Sequence, residues 1–151
     1  MVDINLLKKL RSVTQAGIAD CRAALEASNG DYKKAKEWIR SRGLEKAAKK
    51  EGRETSEGLI EAYIHQNGRV GAMIEILCET DFVARTDEFK NLSHEIAMQV
   101  AAMNPKDVPA LLKQEYIRDS SKTVENLVKE AIAKLGENIV IKKLQRFEIG
   151  E

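Results

Sequence analysis

Asp81 and Phe82 stand side by side in "CETDFVARTDEF", the stretch Cys78–Phe89. A carboxylate can compete for polar ligands, and an aromatic ring supplies rigid bulk and apolar surface. Together they could work on a partner as a wedge and a charge. Thr80, just before them, is a residue type that bonds local backbone and fixes a turn. A second reading stays open: Phe82 could fold back and pack with Phe89, since single apolar residues at surfaces are ordinary.

Other chemistry has less to build on. A nucleophilic cysteine needs a base and an electropositive setting. Cys78 ends a strand expected to pair with the one leading to His65, so a thiol enzyme is one alternative. Cys21 and Cys78 both fall on apolar faces, however, where cysteine behaves as a small hydrophobe. No His, Cys, Asp and Glu recur at ligand spacing on one face, and a structural zinc site would want four. Neither G-x-G-x-x-G nor G-x-x-x-x-G-K occurs. We therefore expect no cofactor, no metal and no covalent catalysis. Trp38 and Tyr32 sit at helix-core spacing. "EKAAKKEGR", Glu45–Arg53, has four basic and two acidic residues and no aromatic, which suits a solvated linker better than a nucleic-acid tail.

Composition bounds the rest. The 151 residues are 43% hydrophobic and 32% charged, enough for a core and a well-solvated surface. With 25 basic and 24 acidic residues the net charge is +1, so no nucleic-acid partner is indicated. Two cysteines without a CxxC fit a reducing compartment better than a disulfide scaffold. The first residues lack a signal peptide's apolar core, and no apolar run reaches the ~18 residues of a membrane span. A cytoplasmic chain with no membrane partner is expected.

The elements that must position the corner follow from periodicity. In residues 1–43, Asp3 can cap a helix with Leu6, Leu7, Leu10 and Val13 on one side. After "TQAG" a second helix turns Ile18, Cys21, Ala24, Leu25 and Ser28 inward. Asp31 can cap a third, with Tyr32, Ala35, Trp38 and Ile39 inward and Gly43 placed to end it. Residues 44–57 carry mixed charge; their early part could be helical, and "EGRETSEG" looks like a linker. Over 58–151, "LIEAYIH" and "RVGAMIEILCE" read as two strands joined through Asn67-Gly68, expected as a type I′ turn. Phe89, Leu92, Ile96, Val100 and Met103 mark a single-faced helix, stopped at Asn104-Pro105. "PALLKQEYIRD" reads as a further helical piece. "TVENLVKEAIAKL" is a firmer helix, ended by Gly136, and "NIVIKKLQRFEI" reads as a third strand. The expected fold is α+β: a three-helix N-terminal module, then a ββααβ domain whose antiparallel three-stranded sheet is packed by helices.

"CETDFVAR", preceded by "GLIEAYIH" and "GRVGAMIEIL", resembles the bacterial elongation factor Ts family, the guanine-nucleotide exchange factors of elongation factor Tu. "VTQAGIADCRAALEASNGDYKKAKEWIRSRGLEKAAKKEGR" is similar to that family's N-terminal module, a ubiquitin-associated-like bundle. "SKTVENLVKEAIAKLGENIVIKKLQRFEIGE" resembles its terminal helix and strand. The resemblance implies that the Asp-Phe tip enters the nucleotide domain of elongation factor Tu in its GDP-bound form. Phe82, supported by Val83, would wedge beside the Mg²⁺ site, Asp81 would disturb the metal's water shell and ligands, and Thr80 would hold the tip's shape. GDP would then leave, and the factor would hold the nucleotide-free partner until GTP binds. The N-terminal module would dock through Val13, Thr14, Gln15, Ala16, Gly17 and Ile18. The chain departs from longer members, which carry a second α/β half; short members resemble subunits that pair through their sheets, so a homodimer is expected. The last strand is a candidate edge for pairing, although Lys142 and Lys143 could equally protect it. A different class stays open, in which the helical bundle binds an unrelated helical partner and the second domain is its scaffold.

Overall fold

The structure, a computed structural model, describes residues 1–151. Three helices come first: α1 (Ile4–Thr14), α2 (Ile18–Ala27) and α3 (Tyr32–Lys50). Their starts are set by short acidic side chains that satisfy first-turn amides. Asp3 Oδ1 accepts from the N–H of Asn5 at 2.8 Å, and Asp31 Oδ1 accepts from that of Lys34 at 3.1 Å. Leu10, Cys21, Ala24, Leu25 and Ala35 close a small core, with Trp38, Tyr32 and Ile39 packed around it. Val13 and Ile18 were expected on the inner faces but are 54% and 51% exposed. They sit at the facing ends of α1 and α2, where the reversal of the chain carries them off the bundle.

Gly43 does not end α3, which runs on to Lys50. Its far half has tertiary work. Ala47 is buried in the core of the following domain, and Lys46 pairs with Asp20 at 2.6 Å. Burial of this kind outweighs the ~1 kcal/mol that glycine costs inside a helix.

The rest of the chain runs β1 (Glu57–Ile64), β2 (Val70–Cys78), α4 (Asp81–Ala84), α5 (Asp87–Met103), α6 (Val108–Lys113), β3 (Glu115–Tyr116), β4 (Asp119–Thr123), α7 (Val124–Leu135) and β5 (Val140–Glu148). β1, β2 and β5 form an antiparallel sheet in that order. The molecule is α+β, with a helical N-terminal region. One sheet face, with Ala72, Ile74 and Ile76 buried, is covered by Phe89, Leu92, Ile96 and Val100 of α5 and by Val128 and Ile132 of α7. The opposite face is bare: Ile60, Ile64, Met73 and Phe147 are each at least half exposed.

Two local expectations change. The β1–β2 turn is not type I′, because Gly68 (φ 71°) takes a left-handed conformation and Asn67 does not. Gly68 N–H donates to His65 O at 2.8 Å, while Asn67 Oδ1 accepts from Arg69 N–H at 3.0 Å. This is the longer hairpin loop that closes with a left-handed glycine. The segment after α6 is also not helical: it forms the β3–β4 hairpin. Buried Gln99 of α5 is the cause, since its Nε2 donates to Glu115 O at 3.0 Å and its Oε1 accepts from Ile117 N–H at 3.0 Å. Tyr116 hydroxyl adds a bond to Glu95 at 2.7 Å. Burial, followed by that hydrogen bond, pushes the Tyr116 pKa up.

The helical module meets the domain along α3 and α7. Arg40 bridges them, donating to Ser121 O at 3.3 Å and lying 3.8 Å from a Glu130 carboxylate oxygen. Between the α1–α2 corner and α5 runs a cleft of about 800 Å³.

Candidate functional site

The corner between β2 and α5 is a single capped turn. Thr80 has extended backbone and its hydroxyl accepts from Val83 N–H at 3.3 Å, which starts α4. Ala84 and Arg85 amides close the turn onto Thr80 O and Asp81 O at 3.3 and 3.2 Å. Thr86 then starts α5, accepting from Phe89 N–H at 3.2 Å and donating to Val83 O at 2.7 Å. Two threonine caps six residues apart thus define both ends of the corner.

Phe82 points into solvent, 76% exposed, whereas Phe89 is fully buried. Packing of Phe82 onto Phe89, the open alternative, does not occur. Val83 and Ala84 face the other way and pack on the domain core. The turn is therefore anchored by one face and presents Phe82 on the other. Asp81 Oδ2 is held by Arg85 Nη2 at 2.9 Å, one helical turn on.

Below the corner, the β2–β5 ladder stops at Leu77–Val140. Glu137, in the turn between α7 and β5, takes over from it. Its Oε1 accepts from the amides of Glu79 and Thr80 at 3.1 and 3.0 Å, and its Oε2 accepts from the Thr80 hydroxyl at 2.6 Å. Glu79 reciprocates, accepting from Asn138 N–H at 2.6 Å. Sequence reasoning missed both glutamates. The only signal was Glu137 following Gly136, the left-handed residue (φ 77°) that caps α7 and turns the chain toward the corner.

The remaining chemistry is sparse. Cys78 is buried and its thiol donates to Thr80 O at 3.1 Å. Burial first, and the Glu137 carboxylate second, push its pKa up to about 11. Cys78 pairs with Glu57 across the hairpin, while His65 follows Ile64, which pairs with Gly71 at the opposite end. His65 is therefore not a neighbour of the Cys78 thiol. No three His, Cys, Asp or Glu side chains converge on a possible metal position. No helix is long and apolar enough to cross a membrane.

The second group of candidates forms the α1–α2 corner. Gln15 (φ 60°) is a left-handed C-cap whose side chain returns to Ser12 O at 2.9 Å. Thr14 hydroxyl donates to Leu10 O at 2.8 Å and accepts from Ala16 N–H at 3.3 Å. Gly17 precedes α2 and its carbonyl receives Cys21 N–H at 3.0 Å. These local hydrogen bonds close the corner, with Val13 and Ile18 exposed at its rim. Residues 13–17 line the cleft and Glu88 of α5 lines it too, but Asp81 and Phe82 do not.

Comparison with known proteins places this pairing of a helical module with a cornered α+β domain among the translation elongation factors. Residues 79–151 match the family described as "Elongation factor TS". The whole chain aligns with the Elongation factor Ts of Thermoanaerobacter sp. (strain X514), at 45% identity over 196 positions that include 96% of that relative. The Elongation factor Ts of Thermotoga maritima is 44% identical, with 99% of this chain and 97% of the relative aligned. This chain belongs to the elongation factor Ts family. The first alignment spans 196 positions against 151 residues here, so at least 45 positions of that relative fall inside the alignment without a counterpart. A longer relative, from Thermosynechococcus vestitus, is matched over 66% of its length at 43% identity.

Proposed function

We propose that this chain is a guanine-nucleotide exchange factor of translation elongation, acting in the cytoplasm on elongation factor Tu. It makes and breaks no covalent bond and carries no cofactor; the nucleotide and Mg²⁺ belong to the partner. It needs only to bind the nucleotide-free partner better than the GDP-bound one. By linkage, it then weakens GDP by the same factor as GDP weakens it. No contact with nucleic acid or membrane is part of this reading.

The observation that carries it is Phe82, exposed on a turn that is capped at both ends and anchored through Val83. A ring held out by such a turn loses little conformational freedom when it enters a partner, and burying it is worth about 1.5–3 kcal/mol. In this reading Phe82 wedges beside the partner's Mg²⁺ and Asp81 competes for the groups that position the metal's water. Loss of the metal leaves phosphate charge uncompensated at a site where water is scarce. Asp81 is already paired with Arg85, but exposed pairs are worth under ~1 kcal/mol, so the carboxylate is cheap to redirect. The hydrogen-bonded α1–α2 corner, with Val13 and Ile18 outward, suits an anchoring contact on the same partner.

The test is release of a fluorescent GDP analogue from elongation factor Tu in excess GDP. The parent should accelerate release. Asp81→Ala and Phe82→Ala should lose most of that acceleration while still binding the nucleotide-free partner. Equal release from all three would move the mechanism elsewhere on the molecule.

A second copy of the chain is the proposed cover for the bare sheet face. Ile60, Ile64, Met73 and Phe147 are exposed there, and Glu75 Oε2, among them, is buried without a hydrogen-bond partner. The strand edge is a poorer place to pair, because β5 skips Lys142 between Lys143 and Ile141 in its register with β2. Such a bulge, flanked by lysines, blunts an edge.

A further inference from the structure

A turn of four residues has no stability of its own; one helical turn fixes many dihedrals for very few hydrogen bonds. Phe82, three-quarters in water, contributes no packing that would hold α4 in place. Val83 and Ala84 seat its inner face on the core, and Glu137, 57 residues away in the chain, is placed to hold the residues that lead into it. All three of its hydrogen bonds go to the last two residues before Asp81, and each is charge-assisted, the stronger kind. Two of them satisfy amides that the sheet ladder no longer reaches.

The third bond bears on the tip itself. The Thr80 hydroxyl has one proton, and Glu137 Oε2 takes it at 2.6 Å. The oxygen's lone pairs are then left for Val83 N–H, the bond that caps α4. A hydroxyl free to rotate would divide its time between donating and accepting. The carboxylate thus selects the rotor that makes Thr80 a cap. The clasp is closed from behind by Glu79, which accepts from Asn138 N–H and lies 3.7 Å from Arg53. Asn138 Nδ2 in turn donates to Arg53 O at 2.9 Å.

We propose that Glu137 is a positioning residue for exchange: through the Thr80 hydroxyl and the Glu79 and Thr80 amides, it holds the Asp81–Phe82 turn in the one conformation that can enter the partner. This rests on the exchange reading above. Without the carboxylate the turn samples other conformations, and the tip's effect scales with the fraction that remains competent. Anchoring through the α1–α2 corner is untouched.

The experiment measures GDP-analogue release from elongation factor Tu across a range of factor concentrations, giving a plateau rate and a half-saturating concentration. Folded Glu137→Gln should lower the plateau on the order of tenfold, from the loss of charge-assisted bonds, with little change in half-saturation. Thr80→Val, which removes the hydroxyl in nearly the same shape, should do likewise, and it stands in if Glu137→Gln does not fold. In a background carrying both Asp81→Ala and Phe82→Ala, Glu137→Gln should cost nothing further, because it acts only through those two side chains. Amide hydrogen exchange at Thr80 and Val83 should quicken in Glu137→Gln while α5 amides keep parental rates, a readout that needs no partner. An active parent with both variants at its plateau overturns the role of Glu137 and leaves the exchange reading standing. Losses that multiply with the removal of both tip side chains overturn it too, since Glu137 would then act elsewhere. A parent that fails to accelerate release removes the exchange reading, and the positioning role with it.

Discussion

Phe82 keeps 76% of its surface in water, and Phe89, on the next helix, keeps none. Two rings of one type so close in sequence have opposite roles, and their substitutions should separate cleanly. Phe82→Ala should leave stability within about 0.5 kcal/mol of the parent, as surface changes do, and yet cost at least about tenfold in GDP release, as loss of a buried aromatic anchor does. Phe89→Ala should cost about 3–5 kcal/mol in urea or thermal unfolding because it empties the core. Cys78 gives a prediction in pH. Its thiol titrates at about 11 in the fold against 9.0 ordinarily, so the unfolded chain gives up this proton first. The stability it contributes is whole below pH 9.0 and is lost as pH rises toward about 11. Urea unfolding over that range should show the parent weakening more steeply than Cys78→Ala.

At the scale of elements, the corner depends on the β1–β2 hairpin ending where it does. Gly58 (φ 149°) opens β1 against the last residues of β2, and a Cβ there would stand 2.1 Å from Ile76 O and 2.8 Å from Leu77 Cα. Both are backbone atoms that cannot swing aside. Gly58→Ala should therefore cost about 3 kcal/mol or more, from steric conflict in a special backbone conformation. Thermal unfolding would register the loss, and the damage lies two residues of ladder from the clasp that sets Thr80. Gly136 differs: its φ of 77° caps α7, but a Cβ there meets nothing within 4 Å. Gly136→Ala should cost only about 1 kcal/mol, the strain of a left-handed alanine, with a Tm shift of a few degrees as the readout.

For the whole molecule, the sheet is a layer with helices on one side only. A face bearing Ile60, Ile64, Met73 and Phe147 is an unusual thing to leave in water, because contiguous apolar patches on soluble chains mark contacts. Sedimentation velocity should find a dimer that Ile60→Glu converts to a monomer, since a carboxylate from each copy would be buried in a self-complementary apolar interface. A parent that sediments as a monomer at all concentrations would remove that proposal. At least 45 positions of the Thermoanaerobacter relative have no counterpart here, which makes the measurement informative about this chain.

Much of this was legible along the chain because its causes are local. Apolar periodicity placed α5 and α7, and side chains within three residues capped α1, α3 and α7. A carboxylate and an aromatic at a strand–helix junction marked the corner. The sequence by itself determined the α+β class, the element order around the sheet and the residues of the candidate tip. Only the tertiary structure decided what depends on contacts between distant residues. Burial of Ala47 carried α3 past Gly43, and the amide of Gln99 drew Glu115 and Ile117 into a hairpin where helix was expected. The domain core took Val83 and left Phe82 outside, which no local preference could choose. Glu137 reached the corner because the α7 cap turns the chain toward the end of the sheet, where two amides had run out of ladder. Such long-range hydrogen bonds leave no periodic trace in sequence, since their partners are brought together only by the fold.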